Sequence, residues 1–224
     1  VQSSQHLKDL ARERESLAVM IAGLKNDVRR LLQMTFPELE HRCKLFTETM
    51  LRFLMKFPSA RTIRIAKSKE ISKALIHAEG KRKRVFISVE EIISLAKASV
   101  ASDSVAKEWI LSEKIETLLY LEQKKGRITE ALVEACRSMR VDELDIITSV
   151  DGISKITGST FLAELGEMKH FKSHKHVIAF AGLDPSVHRS GQYEGISRLS
   201  KRGNRHLRRV IFLMTLCAVR SQNI

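Results

Sequence analysis

Apolar residues recur with a seven-residue spacing over the first 34 residues of the chain. Leucines stand at every seventh position from residue 10 to residue 31, and apolar residues fill most of the alternate positions, with Arg14 as the exception. This spacing predicts a long helix with a coiled-coil-like seam from about residue 4 to residue 34. Pro37 predicts that the helix ends there.

Shorter elements are predicted before residue 104. Apolar-periodic segments cover residues 45–54 and, in a shorter and more basic form, about residues 63–78. Residues 80–84 are a cluster of positive charge that predicts a loop. Ser88, followed three residues later by Glu91, forms a capping-box pattern and predicts a helix start.

A second long helix is predicted from about Ser104 to Arg140. Its apolar seam is interrupted in the middle, where the same register reads Glu122, Lys125 and Thr129. The interruption predicts either a bend or a place where the helix meets solvent. A straight helix of this length would span about 55 Å. We interpret it as a strut, an arm of an antiparallel hairpin or a dimerisation element, with an ordinary core helix as the alternative.

Residues 144–166 predict a helix, a tight glycine turn and a second helix. Gly152 permits a backbone conformation that residues with a Cβ rarely adopt. The pattern resembles a helix-hairpin-helix element, in which N–H groups at a helix N-terminus face a phosphate. Lys155 would add a positive charge at that phosphate. Ser154 stands where the motif has a second glycine, so a structural helix corner without a ligand is the competing interpretation.

The densest positive charge lies between residues 189 and 209, where seven Lys or Arg residues accompany a single acid, Glu194. Arginine side chains bind phosphate oxygens in pairs and stay charged. A helix capped by Asn204 is predicted to start here, with three arginines on one of its faces. The candidate nucleic-acid-binding residues are Arg189, Arg198, Lys201, Arg202, Asn204, Arg205, Arg208, Arg209, Gly152 and Lys155.

Composition limits the classes of function. The net charge of +13 and the pI of about 9.9 favour a polyanionic partner. With 43% hydrophobic and only 5% aromatic residues, the chain is typical of an all-α protein. No apolar run approaches the length of about 20 residues that crosses a bilayer, and we expect no membrane partner. Three scattered cysteines fit neither a disulfide framework nor a metal site.

Ser190 is the candidate nucleophile. It stands beside Gly191 on a predicted turn next to the basic run, so a docked polyanion would bring a phosphate close to its hydroxyl. A serine hydroxyl needs a base, a metal ion or a field of positive charge to act as a nucleophile. His188 is two residues away, but no hydrolase-type triad is evident. A structural serine in a turn is the competing interpretation.

Several stretches together resemble the C-terminal domain of one insertion-sequence transposase family. That family combines an N-terminal RuvC-like (DEDD) domain with a C-terminal serine transposase domain, and a structured bridge RNA guides it. Residues 1–143 resemble, more weakly, the end of the RuvC-like domain and the helical linker after it. The stretches that carry the resemblance follow the family order and are Val150-Asp-Gly-Ile, residues 160–173, residues 179–185, Arg189-Ser-Gly and residues 200–209.

The resemblance implies a function for this chain. Ser190 matches the family's nucleophilic serine, which attacks a DNA phosphodiester and forms a covalent serine–DNA intermediate during RNA-guided transposition. Carboxylates of the RuvC-like domain bind Mg²⁺ and complete a composite site with the serine of another subunit. No DEDD motif lies in this chain, and we expect those carboxylates to precede Val1. We therefore expect a fragment that has no metal or cofactor site of its own and is inactive alone.

Three regions are expected. Residues 1–40 are the end of the RuvC-like domain or the first linker helix, residues 41–143 are a helical linker with a coiled coil, and residues 144–224 are a compact helical transposase domain. The expected partners are DNA, bridge RNA and further copies of the chain, in a dimer or a higher oligomer. The expected location is the bacterial or archaeal cytoplasm, at the nucleoid.

Two other functions stay open. The chain could be a non-catalytic helical nucleic-acid-binding module in which Ser190 is structural. It could also be a structural protein whose long helices assemble into a coiled coil.

Overall fold

The computed structural model describes residues 2–75, 87–186, 189–190, 193–194 and 198–221. These ranges contain ten α-helices, two 3-10 helices at Pro37–Leu39 and Met168–His170, and four two-residue strands, so the all-α prediction is confirmed. The helices are α1 (Gln2–Thr35), α2 (Glu48–Lys56), α3 (Ala60–Ile65), α4 (Ser68–Ala74), α5 (Val89–Ala98), α6 (Val105–Met139), α7 (Val141–Thr148), α8 (Lys155–Leu165), α9 (His174–Ala181) and α10 (Arg205–Ser221). The strands are β1 (Pro185–Ser186), β2 (Arg189–Ser190), β3 (Tyr193–Glu194) and β4 (Arg198–Leu199).

The chain divides into two compact units. Unit 1 contains residues 1–16 and 126–224, and unit 2 contains residues 17–125. The two long helices, α1 and α6, contribute to both units. Both helices have the bounds that the heptad spacing predicts to within a few residues, and α1 ends before Pro37.

Polar pairs between α1 and α6 explain the interrupted seam of α6. In unit 2, Lys25 Nζ donates a hydrogen bond of 2.7 Å to Glu122 Oε1. In unit 1, Arg14 Nε donates a hydrogen bond of 3.1 Å to Thr129 Oγ1. Burial lowers the pKa of Arg14. Polar residues in the middle of α6 therefore face polar residues of α1, and α6 continues through the interruption as one helix.

The helix start predicted at Ser88 is confirmed in unit 2, which also contains the buried carboxylate of Glu108. The Ser88 hydroxyl accepts a hydrogen bond of 3.1 Å from the Glu91 N–H at the start of α5. The buried carboxylate of Glu108 accepts hydrogen bonds from Ser59 Oγ at 2.5 Å and from Arg61 Nε at 2.9 Å. The Arg61 hydrogen bond is the main reason that the pKa of Glu108 is lowered. The basic segment after residue 60 forms two helices, α3 and α4, and the predicted loop at residues 80–84 lies outside the described residues.

Two apolar clusters hold unit 1 together. The first joins the start of α1 to α6, α7 and α8, and burial raises the pKa of its Cys136 thiol. The second joins α8, α9 and α10, and most of the candidate residues lie between α9 and α10 or on α10 itself. The buried members are Leu7, Ala11, Leu132, Cys136, Leu144, Leu162 and Ala163 in the first cluster and Leu165, Ala181, Leu207 and Val210 in the second.

Candidate nucleic-acid interface

The predicted helical hairpin is present as α7, a turn at Gly152 and α8. Gly152 has a φ of 85°, and a Cβ at this position would lie 2.5 Å from the carbonyl oxygen of Cys217 in α10. Only glycine fits this turn, because it combines a positive φ with a close neighbouring backbone. Ser154, which replaces the second motif glycine, caps α8 by accepting a hydrogen bond of 3.2 Å from the Thr157 N–H.

The hairpin turn and the basic segment lie at opposite ends of α10. Gly152, before α8, contacts Cys217 near the end of α10, whereas Glu164, near the end of α8, contacts Asn204 just before α10. The two helices are therefore antiparallel. About 18 Å of helix separates residue 205 from residue 217. Gly152 and the exposed Lys155 consequently do not form one phosphate site with the arginines that start α10.

Asn204 caps α10, as predicted. Its Oδ1 accepts hydrogen bonds from the N–H groups of His206 at 2.9 Å and Leu207 at 3.2 Å. Its Nδ2 donates a hydrogen bond of 2.8 Å to Glu164 Oε2. Both ends of this amide are occupied by protein partners, so the residue positions the start of α10.

Glu164 is a buried carboxylate that the sequence analysis missed. It is 1% exposed and accepts hydrogen bonds from Arg12 Nε at 2.9 Å and Arg12 Nη2 at 3.2 Å, in addition to Asn204. The hydrogen bond with Glu164 raises the pKa of Arg12. Its position between Ala163 and Leu165, both apolar, is the only sequence signal that could have indicated burial. Glu164 joins α1, α8 and the start of α10.

A second carboxylate, Glu15, binds two residues in the first turns of α10. Its Oε1 accepts a hydrogen bond of 2.7 Å from Arg209 Nη1, and its Oε2 lies 2.6 Å from His206 Nδ1. Partial burial acts to raise the pKa of Glu15, but the hydrogen bonds and positive charge of His206 and Arg209 outweigh it and lower the pKa. Arg209, a predicted phosphate ligand, is therefore paired with a carboxylate of α1.

Arg208, another predicted phosphate ligand, binds the protein backbone. Its Nη1 donates a hydrogen bond of 2.8 Å to the carbonyl oxygen of Ala181, the last residue of α9. Gly182 follows with a φ of 65°, and a Cβ there would lie 2.5 Å from the backbone nitrogen of Gly203. A Cβ on Gly203 would overlap the carbonyl oxygen of Phe180. Two glycines thus allow the end of α9 and the turn before α10 to interlock.

Three predicted cations remain on the surface at this turn: Lys201, Arg202 and Arg205. Within the described ranges, none of the three pairs with a carboxylate; Arg205 Nε is 3.3 Å from His206 Nε2. The backbone that carries them is held in place, since the Lys201 N–H donates to the Gly182 carbonyl at 3.1 Å and the Asn204 N–H to the Phe180 carbonyl at 2.7 Å. Lys201 adopts a positive φ of 53°. We call these three residues the α10 patch.

Ser190 lies in a short strand that the sequence analysis did not predict. Strand β2 pairs antiparallel with β3, which places Ser190 opposite Tyr193 and Arg189 opposite Glu194. Strand β1 pairs with β4 at Pro185–Leu199 and Ser186–Arg198. Ser200 closes this pair by donating from Oγ to Asp184 Oδ1 at 2.7 Å. The side chains of Arg189, Ser190 and Arg198, and the predicted turn at Gly191, lie outside the described residues.

Neither a metal cluster nor a membrane span is found in the part of the chain that the structure describes. There, no three His, Cys, Asp or Glu side chains are close enough to hold a metal ion together. No described helix has the length and apolar character needed to cross a membrane.

Comparison with known proteins identifies similarity over the C-terminal part of the chain. Residues 144–224 match the model of the transposase IS116/IS110/IS902 family. This range contains most of α7 and all of α8, α9, the four strands and α10.

Three relatives show how much of a longer protein the chain covers. A probable family 20 transposase of Pseudomonas aeruginosa is 28% identical over 46% of this chain and 30% of its own length. The insertion element IS900 uncharacterized 42 kDa protein of Mycobacterium paratuberculosis is 34% identical over 42% of this chain and 23% of its own length. The transposase for insertion sequence element IS1111A of Coxiella burnetii is 34% identical over 29% and 18%. The chain spans less than a third of these relatives.

Proposed function

We propose that this chain supplies a DNA-binding part of a DNA transposase and that the α10 patch binds the DNA backbone; the match of residues 144–224 to the model of the transposase IS116/IS110/IS902 family supports the first part. The observation that carries the proposal is the exposure of Lys201, Arg202 and Arg205 on a turn whose backbone is fixed. Arginine and lysine side chains on loops and at helix starts are common phosphate ligands, and they position a duplex without reading its sequence.

The fixed turn explains how three exposed cations support binding. Long charged side chains lose conformational entropy when they bind, whereas a backbone that is already ordered loses none. Hydrogen bonds to Phe180 and Gly182 order this backbone before any ligand arrives. Arg208 and Arg209 contribute in a different way, since they hold α10 against α9 and α1.

We extend the proposal to chemistry at Ser190, which follows from the resemblance of Arg189-Ser-Gly to the family motif. The Ser190 hydroxyl loses its proton, and its Oγ bonds to the phosphorus of a DNA phosphodiester. One P–O bond to a deoxyribose oxygen breaks, and that oxygen takes up a proton and leaves as a hydroxyl. The number of phosphate ester bonds is conserved, so the later exchange of strands needs no external energy source. Strand β1 comes before β2 in the chain, and β4 comes after β3. The hydrogen bond from Ser200 to Asp184 closes the β1–β4 pair, and this supports the role because the segment with Ser190 begins and ends at that pair.

The binding proposal is tested by replacing Arg202 and Arg205 together with alanine. Removing one cation that touches a phosphate should reduce the slope of log K against log salt by about 0.9. We therefore expect weaker binding to duplex DNA of any sequence and a slope reduced by up to about 2. The control is the double replacement of the exposed Lys67 and Lys69 in unit 2, which removes the same net charge. Equal effects of the two double variants would contradict a specific role of the α10 patch.

The chemical proposal is tested by covalent capture of DNA. The complete transposase is incubated with labelled DNA, and protein–DNA adducts are separated under denaturing conditions. Ser190→Ala should abolish the adduct while DNA binding is retained, and Ser149→Ala, an exposed serine at the end of α7, should leave the adduct unchanged. An undiminished adduct in the Ser190 variant would favour the second candidate, a non-catalytic nucleic-acid-binding module.

Guide RNA, Mg²⁺ and self-association belong to the proposal for the whole transposase. Mg²⁺ would be bound by carboxylates of a RuvC-like domain, as the resemblance to the transposase family implies. Sedimentation of the complete protein with and without its guide RNA tests both the RNA partner and the oligomer, and a monomer under both conditions would contradict the oligomer.

A further inference from the structure

We infer that a second patch of positive charge, on the loop before α9 and on its first turn, binds the backbone of the same DNA duplex. This inference rests on the proposed function, because it presumes that unit 1 binds DNA. The patch was not among the candidate residues of the sequence analysis. It consists of Lys169, His170, Lys172, His174, Lys175 and His176 and is called the α9 patch below.

The α9 patch is exposed and has little negative charge near it. All six of its residues are exposed. The only acid in the segment, Glu167, lies 2.6 Å from Lys169 Nζ and 3.9 Å from His170 Nε2. Among the described residues, no carboxylate pairs with Lys172 or Lys175. Three lysines against one acid give the surface a net positive charge, which matches a polyanion.

This charge does not serve the stability of α9. The positive end of a helix dipole lies at the N-terminus, where cations are unfavourable and acids are preferred. The first turn of α9 contains no acid but carries Lys175 between two histidines. Ser173, the N-cap residue, makes no capping hydrogen bond, and its Oγ lies 3.0 Å from His176 Nδ1. A role outside the helix therefore has to explain why positive charge is concentrated here.

The structure fixes the α9 patch relative to the α10 patch. The far end of α9 is locked to the turn before α10 through the hydrogen bond from Arg208 to Ala181 and the interlocked Gly182 and Gly203. The ring of Phe171, in the segment before α9, lies against the ring of Phe180 near the far end of α9, with their centroids 5.4 Å apart, so the segment that carries Lys169 and Lys172 is also held against the helix. From Lys175, in the first turn of α9, to Ala181, where the turn before α10 is attached, the helix axis extends about 9 Å.

That separation suits one face of a DNA duplex. Each strand carries one phosphate for about every 3.4 Å of helix axis, so about 9 Å corresponds to two or three base pairs. Phosphates at this spacing are present along each strand of a duplex, which is why one duplex is assigned to both patches. Lysines act on phosphates as point charges and the contacts involve no base edges, so the α9 patch adds affinity that is independent of sequence.

The test compares three sets of substitutions in the full chain, using a labelled DNA duplex, a labelled RNA duplex in parallel, and a titration of salt. Lys169→Ala, Lys172→Ala and Lys175→Ala together remove the lysines of the α9 patch, and Arg202→Ala with Arg205→Ala removes part of the α10 patch. Lys67→Ala, Lys69→Ala and Lys73→Ala together remove three exposed charges from unit 2 as the matched control. We expect the α9 variant to bind about tenfold more weakly, with a salt slope reduced by about 2 to 3, and the control to bind as the wild type does.

Each outcome bears on a different part of the inference. If the α9 variant behaves like the unit 2 control while the α10 variant binds more weakly, the α9 patch is not a DNA surface and the proposed function stands. If the wild type binds no duplex DNA, both the proposed function and this inference fail. If the α9 variant binds only duplex RNA more weakly, the assignment to DNA is wrong. Loss of fold is checked by thermal unfolding, in which Lys175→Ala alone should not lower the melting temperature, because it removes a cation from a helix N-terminus.

Discussion

At the scale of single residues, Glu164 contributes most to the architecture of unit 1. A carboxylate that is 1% exposed is stable only because Arg12 and Asn204 satisfy it. In Glu164→Gln, an amide NH₂ takes the place of one acceptor oxygen, so one donor of the site is left unpaired. We expect the free energy of unfolding to fall by about 1–3 kcal/mol. Urea denaturation followed by circular dichroism measures the change.

The matched control for this prediction is Glu134→Gln. Glu134 lies on the exposed surface of α6 in the same unit, and the substitution removes the same charge. We expect its unfolding free energy to stay within about 0.5 kcal/mol of the wild type. Equal effects of the two substitutions would show that the Glu164 site does not stabilise the start of α10.

Glu15 gives a prediction about pH. Its pKa is lowered in the folded protein, so the ionised group contributes stability that is fully present above the unfolded-state pKa, about 4.3. This stability is lost as the pH falls through the folded-state pKa. We expect Glu15→Gln to lower the free energy of unfolding by about 1 kcal/mol at pH 7 and to make it fall less steeply below pH 4.3. Parallel pH profiles of the two proteins would contradict this assignment.

The arginines show where prediction of the site from sequence ends. The spacing of Arg205, Arg208 and Arg209 correctly places them on a helix that starts near Asn204. Which of them is bound by another part of the protein depends on residues that are distant in the sequence. Arg208 binds a carbonyl 27 residues away, and Arg209 binds a carboxylate 194 residues away. Periodicity within one helix carries no information about such contacts.

At the scale of elements, the interlocked glycines determine the position of the α10 patch. A Cβ on Gly203 would overlap the Phe180 carbonyl oxygen, which cannot move without opening the end of α9. We expect Gly203→Ala to destabilise the protein by more than about 2 kcal/mol and to weaken DNA binding, because the turn that carries Lys201 and Arg202 is displaced. Thermal unfolding and a binding titration measure the two effects.

Gly126→Ala is the control that the chain itself offers. Gly126 lies in the middle of α6, and a Cβ there would have open space around it. Alanine in a helix interior is favoured over glycine by about 0.5–1 kcal/mol, so we expect this substitution to raise stability and to leave DNA binding unchanged. If both glycine variants lower stability alike, close packing is not the reason that residue 203 is glycine.

The long helices were predictable because the apolar spacing that indicates each helix repeats along its length. α1 and α6 present several turns of the same apolar period, and the starts of α5 and α10 carry a capping serine or asparagine. The strands and α9 were not predicted. Two-residue strands have no period, and α9 is eight residues long with a cationic first turn. Tertiary contacts stabilise such elements, and a single sequence does not display them.

At the scale of the whole molecule, residues from both ends of the sequence build the candidate interface. Arg12 and Glu15, near the start of the chain, hold Glu164, His206 and Arg209 close to its end. The match to the family model also begins at residue 144, but the first turns of α1 pack with this part of the chain, which the composition does not reveal. Unit 1 is therefore a structural domain assembled from separate parts of the sequence.

The division into units predicts that stability and DNA binding can be changed separately. Glu108 in unit 2 is buried and bound by Arg61 and Ser59, so Glu108→Gln should lower the free energy of unfolding by about 1–3 kcal/mol. Both proposed patches lie in unit 1. We therefore expect the DNA affinity of the folded Glu108 variant to stay within about twofold of the wild type, a difference of less than about 0.5 kcal/mol. Gly203→Ala, by contrast, should lower stability and affinity together. A Glu108 variant that is fully folded at the assay temperature but binds DNA weakly would place part of the DNA surface in unit 2. Because the control lysines lie in unit 2, lysines of another surface would then have to serve as the control.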